Sequence, residues 1–436
     1  MKLLALALAD ENQRYTKGYP AKGSYLALHL HPDVQKLAAL VGPGDELRVL
    51  DMRVEPLALA GDEDLILCHI DFFQERMGRE VAAAGGDRVV FFGRRATLWD
   101  QNPPEWVQSH VIGDIAGVWE EIRADAARPG RLDISHSSLP VPALKPFYCA
   151  EPTARHVVPD RSLDPHAELN TSYQAMDFAR GCACPAPLKP FCTESLYCGE
   201  ATMRRTPDEI VGEVISLPGK LIHLQDEDVA RWPDYYAEVF GELWNYRRQW
   251  VVNASDRLFQ YPRFIRLLAK AGTRVVMLNE TFLSLGLFGS PGAATDRLGR
   301  ALVDERYRHA LYRRVKSIQA AKMLAGARVA IVFEEDRPPD YPRISAVLRQ
   351  LDLDYIEPRF FRRRTDGTLE FLRTPYRPML QPTNPAWVKD QFYSLSAILD
   401  RVARRPRRVG FYTTVMHLLP RSLAARQDFY EGIPPL

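Results

Sequence analysis

The chain has 436 residues, 46% of them apolar, with six cysteines and a formal net charge of +2. That length exceeds one ordinary domain, so two or three are expected. The near-neutral balance gives no field to recruit nucleic acid, and no apolar run reaches transmembrane length. MKLLALALADENQ meets charge at Asp10 and shows no cleavage site, so it reads as a buried first strand rather than a leader. A reducing cytoplasm with no membrane partner is the expected setting. There, clustered cysteines serve metal more readily than disulfides. Two arginine-rich runs read as solvated faces: Arg359, Arg362, Arg363, Arg364, and Arg401, Arg404, Arg405, Arg407, Arg408.

Short apolar runs at 3–9, 46–52, 64–70, 88–93 and 110–115 alternate with helix-compatible stretches such as 32–41 and 72–84. Continuous apolar strands with helical crossovers imply a parallel sheet covered on both faces, a doubly wound (Rossmann-like) α/β domain over 1–135. Ligands of such sheets bind at the carboxyl ends of the strands. Gly93-Arg94-Arg95-Ala96 and Gly113-Asp114-Ile115-Ala116-Gly117 follow two of them. Their small residues let a bulky planar ligand approach the backbone, although plain strand-to-helix turns look the same. No G-x-G-x-x-G follows a strand, so a nicotinamide site is not favoured. Cys68 and His69, inside a strand, read as packed core residues.

Residues 136–170, rich in Pro, Ser and His, read as an extended connector that contains Cys149. Then four of the six cysteines crowd together: Cys182, Cys184, Cys192 and Cys198, in RGCACPAPLKPFCTESLYC. Thiolates clustered like this hold zinc or an iron–sulfur cluster. TSYQAMDFARGC suggests a strand that delivers them at its carboxyl end. Beyond it, a helix at 206–217 opens on the capping box Thr206/Glu209 with Pro207 at its first position. Strands at 220–228, 249–255, 274–281, 328–335 and 354–361 alternate with helices at 233–247, 262–271, 300–325 and 341–351. Six such strand–helix repeats imply a partial (β/α)6 barrel over 171–375, with function gathered at strand ends. The polar residues there are Gln225, Asp226, Glu227 and Asp228, then Asn253, then Asn279 and Glu280, then Glu334, Glu335 and Asp336. Solvated turns would also carry such carboxylates; Glu280 and Asp226 are the best placed for function. Residues 376–436 read as a small helical cap, with one amphipathic helix at 388–403.

In this order of parts the chain resembles the cobalamin (B12)-binding radical S-adenosylmethionine (SAM) enzymes. ARGC at 179–182, FCTESLYCGEATMRRTPDEIVGEV at 191–214, KLIHLQDED at 220–228 and VVMLNETFL at 275–283 are similar to the family's cluster loop and barrel strands. GRRAT at 93–97 and IGDIAGVWEEI at 112–122 resemble its corrin-cradling loops. The resemblance spans about residues 1–400. It implies three cofactors: a [4Fe-4S] cluster on the clustered cysteines, SAM and cobalamin. Gly93, Arg94, Arg95, Gly113, Asp114 and Gly117 would then lie at the corrin, and Asp226 and Glu280 near SAM. The implied chemistry is a 5′-deoxyadenosyl radical formed in a water-excluding lumen, and methyl transfer to a carbon of a small-molecule substrate. Rearrangement, cyclisation or a non-radical use of SAM also fit the family. An electron donor such as flavodoxin or ferredoxin is the implied partner. A closed zinc site in an α/β binding protein is the alternative from another class.

The cysteine spacing departs from the family's Cys-x3-Cys-x2-Cys. Cys182 fits the first place and Cys192 the last, with nine residues between them instead of six. Lys189 stands at the middle place, which leaves Cys184 or Cys198 to supply that ligand. Three thiolates leave one iron open for SAM, whereas four close the cluster. Corrin sites with a histidine below the cobalt show Asp-x-His-x2-Gly, which does not occur here. The resemblance therefore implies a lower face without a histidine ligand.

Overall fold

A computed structural model describes residues 1–8, 31–52, 55–71, 74–128, 143–151, 156–163, 173–181, 197, 203–217, 219–287, 296–334, 339–372 and 386–404. Its first sheet holds β1 (Lys2–Ala7), β2 (Glu46–Asp51), β3 (Leu65–His69), β4 (Val89–Phe92), β5 (His110–Ile112) and β6 (Phe147–Cys149). The order is β2-β1-β3-β4-β5-β6 and every pairing is parallel. The runs are apolar throughout because both faces are covered. Leu3, Ala5, Leu67 and Val90 pack with α1 (Pro32–Leu40) and, through Trp119 and Ile122, with a helix introduced below. Leu4, Leu6, Ile66, Cys68 and Phe91 pack on the other face with α2 (Glu75–Gly85) and α3 (Arg94–Trp99). The helix carrying Trp119 and Ile122 is α4 (Trp119–Ala126). The strand order reverses between β1 and β3, which is where such folds hold their ligands.

The sixth strand lies inside the stretch expected to be a connector. Tyr148 is 1% exposed, and its hydroxyl donates to Asp125 at 3.2 Å and accepts the Lys145 N–H at 3.1 Å. Three residues are too few to show a period of two, so the strand exists by pairing with β5 and burying that tyrosine.

The second sheet begins with β7 (Tyr173–Met176). A small antiparallel pair follows, β8 (Ala179–Arg180) with β9 (Met203–Arg204). Then come β10 (Leu221–Leu224), β11 (Gln249–Ala254), β12 (Thr273–Leu285), β13 (Leu324–Glu334) and β14 (Tyr355–Arg363), all parallel to β7 and adjacent in chain order. An antiparallel strand, β15 (Leu369–Leu372), borders β14. The six parallel strands and their helices form the expected partial barrel. The helices are α5 (Pro207–Ser216), α6 (Pro233–Leu243), α7 (Pro262–Lys270), α8 (Arg297–Val303), α9 (Glu305–Ala320) and α10 (Tyr341–Gln350). Thr206 and Glu209 make the anticipated capping box on α5. The single helix expected at 300–325 is two, because Asp304 accepts the Tyr307 N–H at 3.0 Å and starts a new one.

Side chains alternate along these strands. Ile222, Leu224, Trp250, Val252, Val276, Leu278, Ala327, Val329 and Ile356 pack against the helices. Val275, Met277 and Leu324 form a separate apolar patch on the opposite face, joined by Val251 and Tyr355. That face carries the polar residues discussed below.

The C-terminal helix expected at 388–403 is also split, into α11 (Ala386–Phe392) and α12 (Leu395–Ala403). Ser394 caps the second by accepting the Ala397 N–H at 3.4 Å. Tyr393, between them, ties to both backbone groups of Ile356 at 2.9 and 3.0 Å. Arg401, expected on a solvated face, is 3% exposed; it donates to the Phe392 carbonyl at 2.6 Å and lies 4.0 Å over that ring. Its long apolar stem makes such burial cheap once a carbonyl takes the guanidinium. Among the described residues, no helix is long and apolar enough to cross a membrane.

Candidate functional site

At the carboxyl end of the first sheet, two histidines meet. His69 is the last residue of β3, and His31 caps α1, the helix that follows β1. Their rings stack with centroids 4.1 Å apart at 26°. Gly93, just past β4, has φ +109°, and a Cβ there would stand 2.7 Å from the Ile70 carbonyl and 3.0 Å from His69 Nε2. Only glycine satisfies both conditions. His69 is 3% exposed, and its Nε2 has no hydrogen-bond partner. Burial holds His31 well below its ordinary value, assisted by the charge of His69, and burial likewise lowers His69. Both rings are therefore neutral at pH 7. Arg94 lies in the same crevice, since its charge acts on His31, His69 and, from the barrel, His223.

The remaining loop residues singled out from sequence divide between seam and surface. Asp114 is 4% exposed and accepts from Lys36 Nζ at 3.3 Å; it also pairs with Arg180, two positions before Cys182. Burial alone would raise Asp114, but the Lys36 and Arg180 charges hold it below its usual range. Arg180 pairs in addition with Asp177, and Lys36 donates to Asp33 at 2.5 Å. Tyr197, beside Cys198, donates its hydroxyl to Asp33 at 2.8 Å. Gly113 (φ +97°) comes so close to Ala150 that a Cβ would be 3.0 Å from its methyl. Arg161 completes the seam, reaching Gln35 at 3.2 Å, the Ala175 carbonyl at 2.8 Å and Glu213 at 2.7 Å. Arg95 instead pairs with Glu75 on α2, its Nε donating at 2.8 Å. Gly117 contributes a turn, its N–H donating to the Asp114 carbonyl at 3.0 Å.

Cys182, Cys184, Cys192 and Cys198 lie outside the described residues, but the backbone that launches them is described. Asp226, at the end of β10, accepts the N–H groups of Phe178 (2.9 Å) and Ala179 (2.8 Å) and the Tyr236 hydroxyl (2.5 Å). Tyr235 donates to the Phe178 and Arg205 carbonyls, both at 2.9 Å. Arg205 holds the Asp177 carbonyl at 2.8 Å, and Arg231 holds that of Gly181 at 3.2 Å. Residues 177–181 are thus fixed from every side. Burial pushes the Asp226 carboxyl up to about 7, while its three donors favour the charged form. Both of its oxygens are engaged, so Asp226 holds the backbone at Phe178 and Ala179, ahead of the cysteine run. Asp228 is similarly spent on the Ala230 and Ser255 N–H groups, at 2.9 and 2.8 Å.

Inside the barrel, Arg328 is 2% exposed and contacts Glu227 at 2.8 Å, Asn253 at 3.4 Å and Glu357 at 3.8 Å. Arg359 pairs with Glu280 at 2.8 Å and Glu357 at 3.1 Å. Arg359 is therefore not on a solvated face as expected; the β14 alternation turns it inward with Glu357. Burial and the charge of Arg328 lower His223 to about 4. Burial lowers Lys389 of α11 to about 7, opposed by Glu357 and Asp390. Sequence reasoning named Glu227 and Glu280 but missed Arg328, Glu357 and Arg359. The available signal was the two-residue spacing of Glu357 and Arg359 within a strand. Asn279 accepts from Thr281 at 2.6 Å and Glu334 is exposed, while Glu335 and Asp336 lie outside the described residues.

No family model matches the chain. Over 239 residues it is 23% identical to the bacteriochlorophyllide d C-12(1)-methyltransferase of Chlorobaculum tepidum, covering 52% of this chain and about half (50%) of that relative's length. Two solved structures of the radical SAM methyltransferase TsrM from Kitasatospora setae superpose at a TM-score of 0.53. The first, with tryptophan substrate and aza-SAM bound, is 15% identical and covers 84% of this chain and 74% of TsrM. The second, with cobalamin and a [4Fe-4S] cluster bound, is 16% identical and covers 87% and 76%. The chain thus has the fold of a cobalamin-binding radical SAM methyltransferase, the architecture that its sequence resemblance implied.

Proposed function

We propose that the chain is a cobalamin-dependent radical SAM enzyme that methylates a carbon of a small biosynthetic molecule. One observation carries this most directly. Through Arg180 and Asp114, the segment launching Cys182 is locked to the carboxyl end of the first sheet. The segment that leads into the cysteine run and the proposed corrin site would therefore share one seam. A corrin would lie at this switch point, where His69 Nε2 is buried without a hydrogen-bond partner, 3.9 Å from Asp33. When bound, the cofactors would supply a transferable methyl group and one-electron cleavage of SAM.

The protein's own residues would do the rest. Gly93, Arg94 and Gly113 would border the corrin, and Cys182 and Cys192, with Cys184 or Cys198, would ligate iron. Asp226 would keep the cysteine segment in place. Glu280, held by Arg359 at the register irregularity inside β12, is the acid we assign to SAM. The lattice of Glu227, Glu357, Arg328 and Arg359 favours a small substrate with charged groups over an apolar one. An electron donor such as flavodoxin or ferredoxin would reduce the cluster.

Anaerobic purification with iron, cobalt and zinc counting tests this. We expect a brown protein with iron–sulfur and corrin absorption, forming S-adenosylhomocysteine and 5′-deoxyadenosine from SAM and a reductant. Cys182→Ala and Cys192→Ala should lose the iron. A colourless protein carrying one zinc would overturn the proposal. Release of S-adenosylhomocysteine without 5′-deoxyadenosine would retain methyl transfer but remove the radical step.

A further inference from the structure

We infer that Asp33 and Tyr197 are positioning residues for the iron–sulfur cluster: with Asp114 and Arg180, they clasp both flanks of the cysteine run to the first sheet. The inference rests on that run holding the cluster proposed above. The barrel already holds the stem of the run. Ala179 and Arg180 pair with Arg204 and Met203, and Asp226 holds the Phe178 and Ala179 amides. The clasp adds a second support from the other sheet.

One continuous chain of contacts makes it. The Tyr197 hydroxyl donates to Asp33 Oδ2 at 2.8 Å. Asp33 Oδ1 accepts from Lys36 Nζ at 2.5 Å, Lys36 reaches on to Asp114 at 3.3 Å, and Asp114 pairs with Arg180. Tyr197 directly precedes Cys198, and Arg180 stands two positions before Cys182. The two flanks of the run therefore end on two carboxylates that one lysine joins. Gly113 lies beside the second flank, where a Cβ would stand 3.6 Å from the Tyr197 carbonyl oxygen.

Burial makes the clasp firm. Tyr197, Asp33 and Lys36 are each at most 5% exposed. Burial alone would raise the Asp33 carboxyl, but the Lys36 charge holds it well below its usual range. It stays an anion, and a hydroxyl bonds an anion more strongly than a neutral acceptor. In so dry a place, losing that bond strands a polar group. Pinning both flanks also restricts the cysteines before iron arrives, so metal binding has less chain entropy to remove. The long spacing from Cys182 to Cys192 gives this loop more freedom to lose, which the clasp offsets.

The test follows iron loss to the chelator bathophenanthroline from the full chain, reconstituted anaerobically with iron and sulfide. Tyr197→Phe should lose iron about tenfold faster than wild type, the effect of one hydrogen bond to a charged group. Tyr148→Phe removes a buried hydroxyl of the same sheet that bonds Asp125 instead, and should lose iron at the wild-type rate. Asp33→Asn should also speed the loss. Combined with Tyr197→Phe, it should fall short of the product of the two single effects, because both break one bond. A wild-type rate in Tyr197→Phe, equal acceleration in Tyr148→Phe, or full multiplication in the double variant overturns the clasp and leaves the cluster standing. A wild type that takes up no iron overturns the cluster itself.

Discussion

The two sheets end in opposite kinds of chemistry. The first closes on neutral imidazoles, positive-φ glycines and a crevice, and its charges are paired off at the seam. The second closes on a lattice of acids and guanidinium groups around Arg328 and Arg359. Both groups lie at the carboxyl ends of parallel strands, where ligands of such folds bind. They differ in what they can hold. A crevice lined by glycine and neutral rings suits a large planar group, whereas fixed, desolvated charges suit a small polar one and fix its orientation.

The contrast predicts where each half breaks. Asp226→Ala should have the largest effect, because it strands two amides and a tyrosine hydroxyl, each at about 1–3 kcal/mol. We expect loss of iron with cobalamin retained; unchanged iron content would show that the turn at 177–181 holds without it. Acid should come next, acting on the barrel through His223. The unfolded side chain titrates near 6.5 and the folded one at about 4. Below pH 6.5 the unfolded chain binds a proton that the native state refuses, so stability present above that value falls as pH drops toward 4. His223 alone contributes a loss of about 3 kcal/mol. Urea midpoints at neutral and acid pH should converge in His223→Gln relative to wild type; an identical acid loss would exclude His223 as its source.

The seam itself is tested by Asp114→Asn, which leaves Lys36 and Arg180 without that anion and should cost about 2 kcal/mol. Calorimetry should then resolve the first sheet as a separate, earlier transition, while a single cooperative peak would mean the other seam contacts suffice. Tyr235→Phe is the mildest change. It removes one donor shared by two carbonyls, and chemical denaturation should register about 1 kcal/mol.

Strand runs, the α5 capping box and the order of the two sheets were legible, because each rests on local period or on a single helix start. The site was legible only in outline. Gly93, Arg94 and Asp114 were found as loop residues, yet nothing local says that Arg95 turns to Glu75 or that Asp114 meets Arg180 sixty-six positions away. His69 was assigned to packing on the strength of its strand, and the structure buries it, but stacked on His31 with its Nε2 3.9 Å from Asp33 and without a hydrogen bond. The arginines mistaken for solvated faces, Arg359 and Arg401, show the same limit: charge in a sequence does not reveal which face a strand or helix buries.

By itself, then, the sequence determined the α/β class, the succession of strands and helices, and the cysteine run with its irregular spacing, since these follow from periodicity, turn chemistry and residue type. Only the tertiary structure decided that β6 completes the first sheet, that Asp226 serves the backbone ahead of Cys182, and that Lys36, Asp33, Asp114 and Arg180 join the two sheets. Those outcomes depend on long-range pairing of buried charges and amides. Desolvation makes each such group bond to whichever partner the fold brings near, and no local pattern names that partner.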